Sequence, residues 1–120
     1  MFKIENNELG EIIVEKEVIE TIAGLAALDC YGLVGMVPKS IQEGIGSILR
    51  LDSIRKGVQV TAAEAGIVVD IFCIVGYGVK ISEVAMNVMQ KVTYALYQDA
   101  GIPVIAVNVN VRGIKVMQEA

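Results

Sequence analysis

Residues 58–78 read VQVTAAEAGIVVDIFCIVGYG, and this stretch decides the fold. Apolar and polar residues alternate at its start, which is the pattern of a half-buried strand. Residues 67–75 are apolar on both sides except at Asp70, which predicts an inner strand or one whose outer face a partner covers. The short link at 64–66 contains Gly66 and therefore predicts that the two strands form a hairpin.

Helical and extended patterns alternate on the N-terminal side of this hairpin. Residues 10–14 predict a short strand, and residues 15–27 predict a helix with Val18, Ile22, Leu25 and Ala26 on its apolar face. Residues 33–37 predict the next strand. A weaker helix follows from Ser40 to about residue 49, and residues 53–57 are predicted as its exit loop.

On the C-terminal side, a strong helical pattern begins near Ser82 as N-cap and ends before Gly101. Residues 104–111 then alternate as a strand. The order β-α-β-α-β-β-α-β predicts an α+β fold in a single domain over residues 1–120. We expect a two-layer sandwich in which a mixed sheet carries its helices on one face.

The charge of the chain is unevenly distributed. The first twenty residues carry six acids and two bases, which accounts for the whole net charge of −4. The near-neutral remainder tolerates self-association, and it lacks the net basic face that nucleic acid requires. No apolar leader segment is visible, so we expect a cytoplasmic protein. The longest uncharged runs are also too short to insert directly into a membrane.

The chain has no histidine, which removes the commonest general base and the Ser-His and Cys-His nucleophile pairs. Cys30 and Cys73 are 43 residues apart and do not form a zinc-binding frame. Their apolar surroundings predict buried thiols. We therefore expect no enzyme, no catalytic residue, no metal and no cofactor.

The turn from Gly76 to Ser82 offers an alternative function, that of a small-ligand or phosphate-binding module. Glycines between a strand and a helix allow backbone amides to approach a phosphate. The other interpretation is a tight turn that needs positive φ, and it is favoured because Ile81 replaces the third glycine of the phosphate motif.

Two groups of residues are candidates for a binding surface. Asp70, Asn108, Asn110 and Arg112 form a candidate polar patch on the open sheet face, unless they are only a solvated surface. Met86, Met89, Thr93 and Tyr97 form a second apolar stripe on the last helix, roughly 125° from its core stripe. This stripe is either internal packing or a partner surface. The candidate self-association surface comprises Met86, Met89 and Tyr97 with the strand residues Val68, Phe72 and Ile74, which predicts at least a dimer.

Four segments together resemble one family: IAGLAA at 22–27, GLVGM at 32–36, YGVKISEVA at 77–85 and VNVNV at 107–111. They are similar to the alkaline shock protein family of Gram-positive bacteria, including its short YloU-like members. The resemblance implies a non-enzymatic cytoplasmic protein of the envelope stress response, which acts as a scaffold or adaptor in cell-envelope homeostasis. It further implies self-assembly and docking on a membrane-anchored protein partner, which would hold the protein near the membrane.

Overall fold

The computed structural model describes residues 2–38 and 51–116, with the backbone alone for residues 51–53. The strands in this part are β1 (Phe2–Asn7), β2 (Gly10–Val14), β3 (Leu33–Met36), β4 (Val58–Ala63), β5 (Gly66–Gly76) and β6 (Val104–Lys115). The helices are α1 (Lys16–Leu28), α2 (Leu51–Lys56) and α3 (Ile81–Ala100). The mixed α+β content predicted from the sequence is confirmed.

β5 is the central strand of a four-stranded mixed sheet. β6 runs parallel to it along one edge, from Ile67 to Gly76. β4 and β3 are antiparallel to β5 and share its other edge, with β4 beside its first half and β3 beside residues 73–75. The predicted hairpin of β4 and β5 is present and closes with Ala63 opposite Gly66. The apolar run of β5 is thus explained by neighbours along both edges and by its burial.

Both long helices lie on one face of the sheet, as predicted. α1 packs on β3 and β4, and α3 packs on β6 and against α1. The core between the layers is made of alternate β5 residues and one stripe of each helix. Its fully buried members include Ile19, Val69, Ile71, Val88 and Leu96.

The predicted apolar face of α1 was only half right: Ile22 and Ala26 pack against the core, but Val18 and Leu25 are 47% and 50% exposed. The buried residues of this helix are Ile19, Ala23, Gly24 and Ala27. A Cβ added to Gly24 would lie 2.5 Å from Cγ2 of Ile54 in α2, so the two helices approach closely at this glycine. Close approach requires small residues, and the buried face of α1 is therefore its small-residue face.

Some predicted boundaries also need correction. The predicted helix over 40–49 lies outside the described residues, and the predicted exit loop at 53–57 is mostly helix α2. Ser82 is not the N-cap of α3, because the helix begins at Ile81 and Lys80 occupies the extended cap position. Gly101 ends the helix as predicted, in the left-handed conformation at φ 67°.

The N-terminal hairpin was only half predicted. The strand at 10–14 exists, but it pairs with the unpredicted strand β1 in a separate two-stranded sheet rather than joining the main sheet. The Asn7 side chain accepts a 2.8 Å hydrogen bond from the Leu9 N–H, which stabilises the turn between the strands. Phe2, Ile4 and Val14 pack against the main core and attach the hairpin to it.

Candidate functional site

The side of α3 that faces away from the sheet exposes large apolar and aromatic side chains. Tyr94, Tyr97 and Met86 are 67%, 63% and 54% exposed, and Thr93 is exposed between them. Met89 is half-buried because it also packs against the core. We call Met86, Met89, Thr93, Tyr94 and Tyr97 the α3 outer surface. The sequence left open whether this stripe is internal packing or a partner surface. Internal packing applies only to the core-facing side of Met89.

The α3 outer surface continues towards the end of α1. A shallow cleft beside it is lined by Tyr31, Tyr94 and neighbouring polar residues, and Tyr31 is 87% exposed. At this cleft Lys91 Nζ lies 2.7 Å from Asp29 Oδ2. The hydrogen bond between them lowers the pKa of Asp29 and raises that of Lys91, so both stay charged at neutral pH. This exposed ion pair ties the end of α1 to α3.

The sequence-based prediction of this surface did not include Tyr31 and Tyr94. Tyr94 lies eight residues after Met86, which is within the reach of one helical stripe, so a wider stripe would have included it. Tyr31 lies in the turn after α1, and only the packing of α1 beside α3 brings it close. No sequence spacing indicates that proximity.

The six residues of the candidate self-association surface do not form one surface. Met86, Met89 and Tyr97 lie on α3, whereas Val68, Phe72 and Ile74 lie on the opposite face of β5 from the helices. Phe72 and Ile74 are only 7% and 6% exposed and form a small cluster with Val37. They are therefore not accessible as an association face. Val68 is half-buried.

The structure brings the four residues of the candidate polar patch together on that sheet face. Asp70 lies opposite Asn108 in the parallel register, and Asn108 Nδ2 donates a 2.9 Å hydrogen bond to Asp70 Oδ1. Asn110 donates to the Ile71 carbonyl at 3.3 Å, and the Arg112 guanidinium lies 5.4 Å from the Phe72 ring centroid. Much of their hydrogen-bonding capacity is satisfied within the sheet. A binding role for the patch stays a prediction.

The turn from Gly76 to Ser82 has the conformation that its glycine-rich sequence indicates. Gly78 has a φ of 98°, which L side chains rarely adopt, whereas Gly76 needs no positive φ. The Gly76 N–H donates to the Gly32 carbonyl and the Tyr77 N–H donates to the Lys115 carbonyl, both at 2.9 Å. Since these two amides serve the fold, they are not available to hold a phosphate.

The two thiols are buried, as predicted. Cys30 is 8% exposed, Cys73 is fully buried, and neither forms a disulfide. Burial raises the pKa of the Cys30 thiol and raises the pKa of the Cys73 thiol to about 11. Within residues 2–38 and 51–116, His, Cys, Asp and Glu form no group of three that would hold a metal ion. None of the helices in this part of the chain has the length and apolar character of a membrane span.

Comparison with known proteins identifies a family and two similar relatives. The family of alkaline shock protein 23, described as having a cell envelope-related function, matches residues 4–116. YloU of Bacillus subtilis strain 168 is 47% identical over 108 residues, which cover 89% of this chain and 90% of YloU. Spy1614 of Streptococcus pyogenes serotype M6 is 40% identical over 115 residues, which cover 95% of each chain. The chain is also similar to a solved structure of MamM-CTD, at 12% identity and a TM-score of 0.49, over 87% of this chain and all of that one.

Proposed function

Because the chain belongs to this alkaline shock protein family, which has a cell envelope-related function, we propose that it is a non-enzymatic adaptor of the envelope stress response. It acts in the cytoplasm through protein contacts, and the first of these contacts is with its own copies. A membrane-anchored protein partner is its connection to the envelope. The α3 outer surface is the site of association.

The exposure of the α3 outer surface is the observation that carries this proposal. Tyr94, Tyr97 and Met86 are each more than half exposed on the longest helix of the described residues. Tyr and Met are enriched at the centres of protein interfaces, where Tyr supplies a rigid contact area and Met adapts to the partner. A regular helix also presents them in a fixed arrangement, which lowers the entropy lost on binding.

The polar groups around this surface have the arrangement of an interface rim. Thr93 and Gln90 lie beside the tyrosines and line a second shallow cleft, together with Met89, Tyr94 and Tyr97. Lys91 and Asp29, which line the cleft beside Tyr94, already neutralise each other in their 2.7 Å ion pair. A second copy that covers this cleft therefore meets a paired charge at Lys91, and burying an unpaired charge would be far more costly.

The test compares two lysine substitutions at matched helix positions. Tyr97→Lys and Leu25→Lys each lie three residues before the last residue of their helix, and the wild-type side chains are 63% and 50% exposed. Cations are favoured near helix C-termini, so neither change should destabilise the fold. Leu25 lines neither cleft around Tyr94, which makes it the control.

Sedimentation velocity over a concentration series measures the outcome. We expect the wild type and Leu25→Lys to associate alike, whereas Tyr97→Lys associates at least tenfold more weakly while its circular dichroism is unchanged, since interface aromatics carry much of the binding energy. A wild-type chain that stays monomeric at high concentration would overturn self-association. Equal weakening by both substitutions would move the contact away from the α3 outer surface.

A further inference from the structure

The far edge of β6 is open to another strand. Within residues 2–38 and 51–116, β6 pairs with β5 alone, so no strand lies along its other edge in that part of the chain. Edge strands are usually protected by charged residues, by proline or by being short. β6 is twelve residues long and carries no charge or proline from Val104 to Val111. Its backbone N–H and C=O groups can therefore accept a partner strand.

The sequence of this edge is complementary to itself. Residues 106–111 lie in regular register with residues 68–73, between two irregular positions. Within this regular part, Val107, Asn108, Val109, Asn110 and Val111 read the same in both directions. In an antiparallel pairing of two copies about Val109, valine faces valine on the helix side and asparagine faces asparagine on the other side. Like therefore pairs with like at these five positions, which avoids placing a polar side chain opposite an apolar one across the two-fold axis.

The charges at the end of the strand also permit this pairing. Arg112 is the first charged residue of β6, and in this register it faces Ala106 of the second copy rather than a second arginine. The two Arg112 residues are six strand positions apart, or roughly 20 Å. The nearest basic groups therefore do not repel across the axis.

The helix layer leaves apolar surface uncovered above the same edge. Val109 and Val111 point towards the helices, yet both are only half-buried. α1 lies over β3 and β4, and Lys91 on one flank of α3 reaches the end of α1. Met89 lies about 160° around α3 from Lys91, on the flank above β6. A second copy paired along β6 would cover Met89 and both valines.

From this edge we infer that two copies pair through antiparallel β6 strands about Val109, so that their four-stranded sheets become one continuous sheet with all long helices on one face. This rests on the proposal that the protein self-associates, and it assigns a contact that shares only Met89 with the α3 outer surface. The partner is a second copy of the chain because the edge matches itself.

Two double variants test the register, one with like charges and one with opposite charges at positions 108 and 110. In this pairing Asn108 of each copy faces Asn110 of the other copy. The double variant Asn108→Lys/Asn110→Lys therefore places two pairs of like charges directly opposite one another. Asn108→Lys/Asn110→Asp sets two opposite charges at the same positions. The first variant should dimerise about tenfold more weakly than the second in sedimentation, and the second should dimerise at least as tightly as the wild type. Equal dimerisation of the two variants would overturn the register.

Disulfide trapping gives an independent test. Asn108→Cys and Asn110→Cys chains, when mixed, place two sulfur atoms at directly opposed positions with Cα atoms about 4.5–5.5 Å apart. Each variant alone offers only diagonal neighbours about 7–8 Å apart, which a disulfide does not span without strain. We expect rapid cross-linking only in the mixture, and the buried native thiols stay silent. No cross-link in the mixture, or equal rates in all three samples, would refute the pairing.

The failure of this inference and the failure of self-association give different results. If the trapped pair is absent while wild-type oligomers persist and Tyr97→Lys disrupts them, the edge contact is wrong and the α3 contact stands. If the wild type is monomeric and no cross-link forms, both are wrong. If the Tyr97→Lys variant is still a dimer, and adding Asn108→Lys and Asn110→Lys to it abolishes that dimer, the edge contact is right.

Discussion

Replacement of Gly24 by alanine tests the close contact between α1 and α2. Gly24 lies inside a helix, and by helix propensity alone Gly24→Ala should stabilise the protein by about 1 kcal/mol. The structure predicts the opposite sign. The new Cβ would lie 2.5 Å from Cγ2 of Ile54 and 3.2 Å from its carbonyl oxygen, so the buried Ile54 side chain and the α2 backbone must both move.

The size of the effect follows from two opposing terms. Overpacking in a well-packed core costs about 1–3 kcal/mol, from which the propensity gain of about 1 kcal/mol is subtracted. We expect a net loss of about 1 kcal/mol, which lowers the melting temperature of a domain of this size by about 3–6 °C. Calorimetry or circular dichroism melting at fixed protein concentration measures it, because association would shift the melting temperature.

A double-mutant cycle isolates the contact. Ile54→Ala removes the Cγ2 atom that the new methyl group would meet, at its own cost of about 2–5 kcal/mol. In that background, Gly24→Ala should stabilise the protein, and the two effects should be coupled by about 2 kcal/mol. If Gly24→Ala stabilises the wild type, the two helices are not in close contact at this position and the reasoning fails.

Three further predictions concern thiols, titration and backbone strain. Cys73 should react with a thiol reagent only at the rate of unfolding, because burial raises its pKa to about 11, and fast labelling in the native state would contradict this. Burial also raises the pKa of Glu20, so the folded state binds that proton more tightly than the unfolded state. Glu20→Gln should therefore stabilise the protein at neutral pH, and urea titrations should show this gain disappearing as the pH falls below the unfolded pKa. Gly78→Ala should cost about 1–3 kcal/mol from its φ of 98° alone, since its Cβ would meet no atom within 4 Å; an unchanged urea midpoint would contradict it.

The parts of the fold that were predicted correctly are those in which one strong period dominates. α3 has a clear 3.6-residue pattern, and its four buried residues, Val84, Val88, Val92 and Leu96, follow that spacing. β6 alternates cleanly, and its partner β5 is apolar on both sides because it is central. Local pattern was therefore sufficient to identify both elements.

The errors arise where packing between elements decides. The buried face of α1 consists of one isoleucine and small residues, since α2 and α3 approach it closely, whereas the sequence pattern gave more weight to the larger Val18 and Leu25. Phe72 and Ile74 were expected on an open face and are buried in a cluster with Val37. Hydrophobicity indicates which residues can be buried, but the positions of neighbouring elements determine which of them are.

The same distinction applies to the candidate surfaces. The sequence placed Met86 and Tyr97 correctly on one stripe, yet their pairing with strand residues failed because a sheet separates the two groups. The polar patch came together because a parallel register sets Asp70 beside Asn108. Tyr31 lies beside the α3 outer surface only because α1 packs beside α3, and no local sequence pattern indicates that packing.

The two proposed contacts differ in direction, and this difference determines what the protein can build. Pairing along β6 joins two copies in the plane of the sheet, about an axis that closes the contact on itself. The α3 outer surface points away from the sheet and stays exposed in such a dimer, except near Met89. A dimer with one such surface on each copy can bind a further dimer, or one membrane-anchored partner per copy. Binding at two linked sites raises the overall affinity through effective concentration, so under the proposed function modest contacts at Tyr94 and Tyr97 would be sufficient for a stable assembly on a membrane-anchored partner.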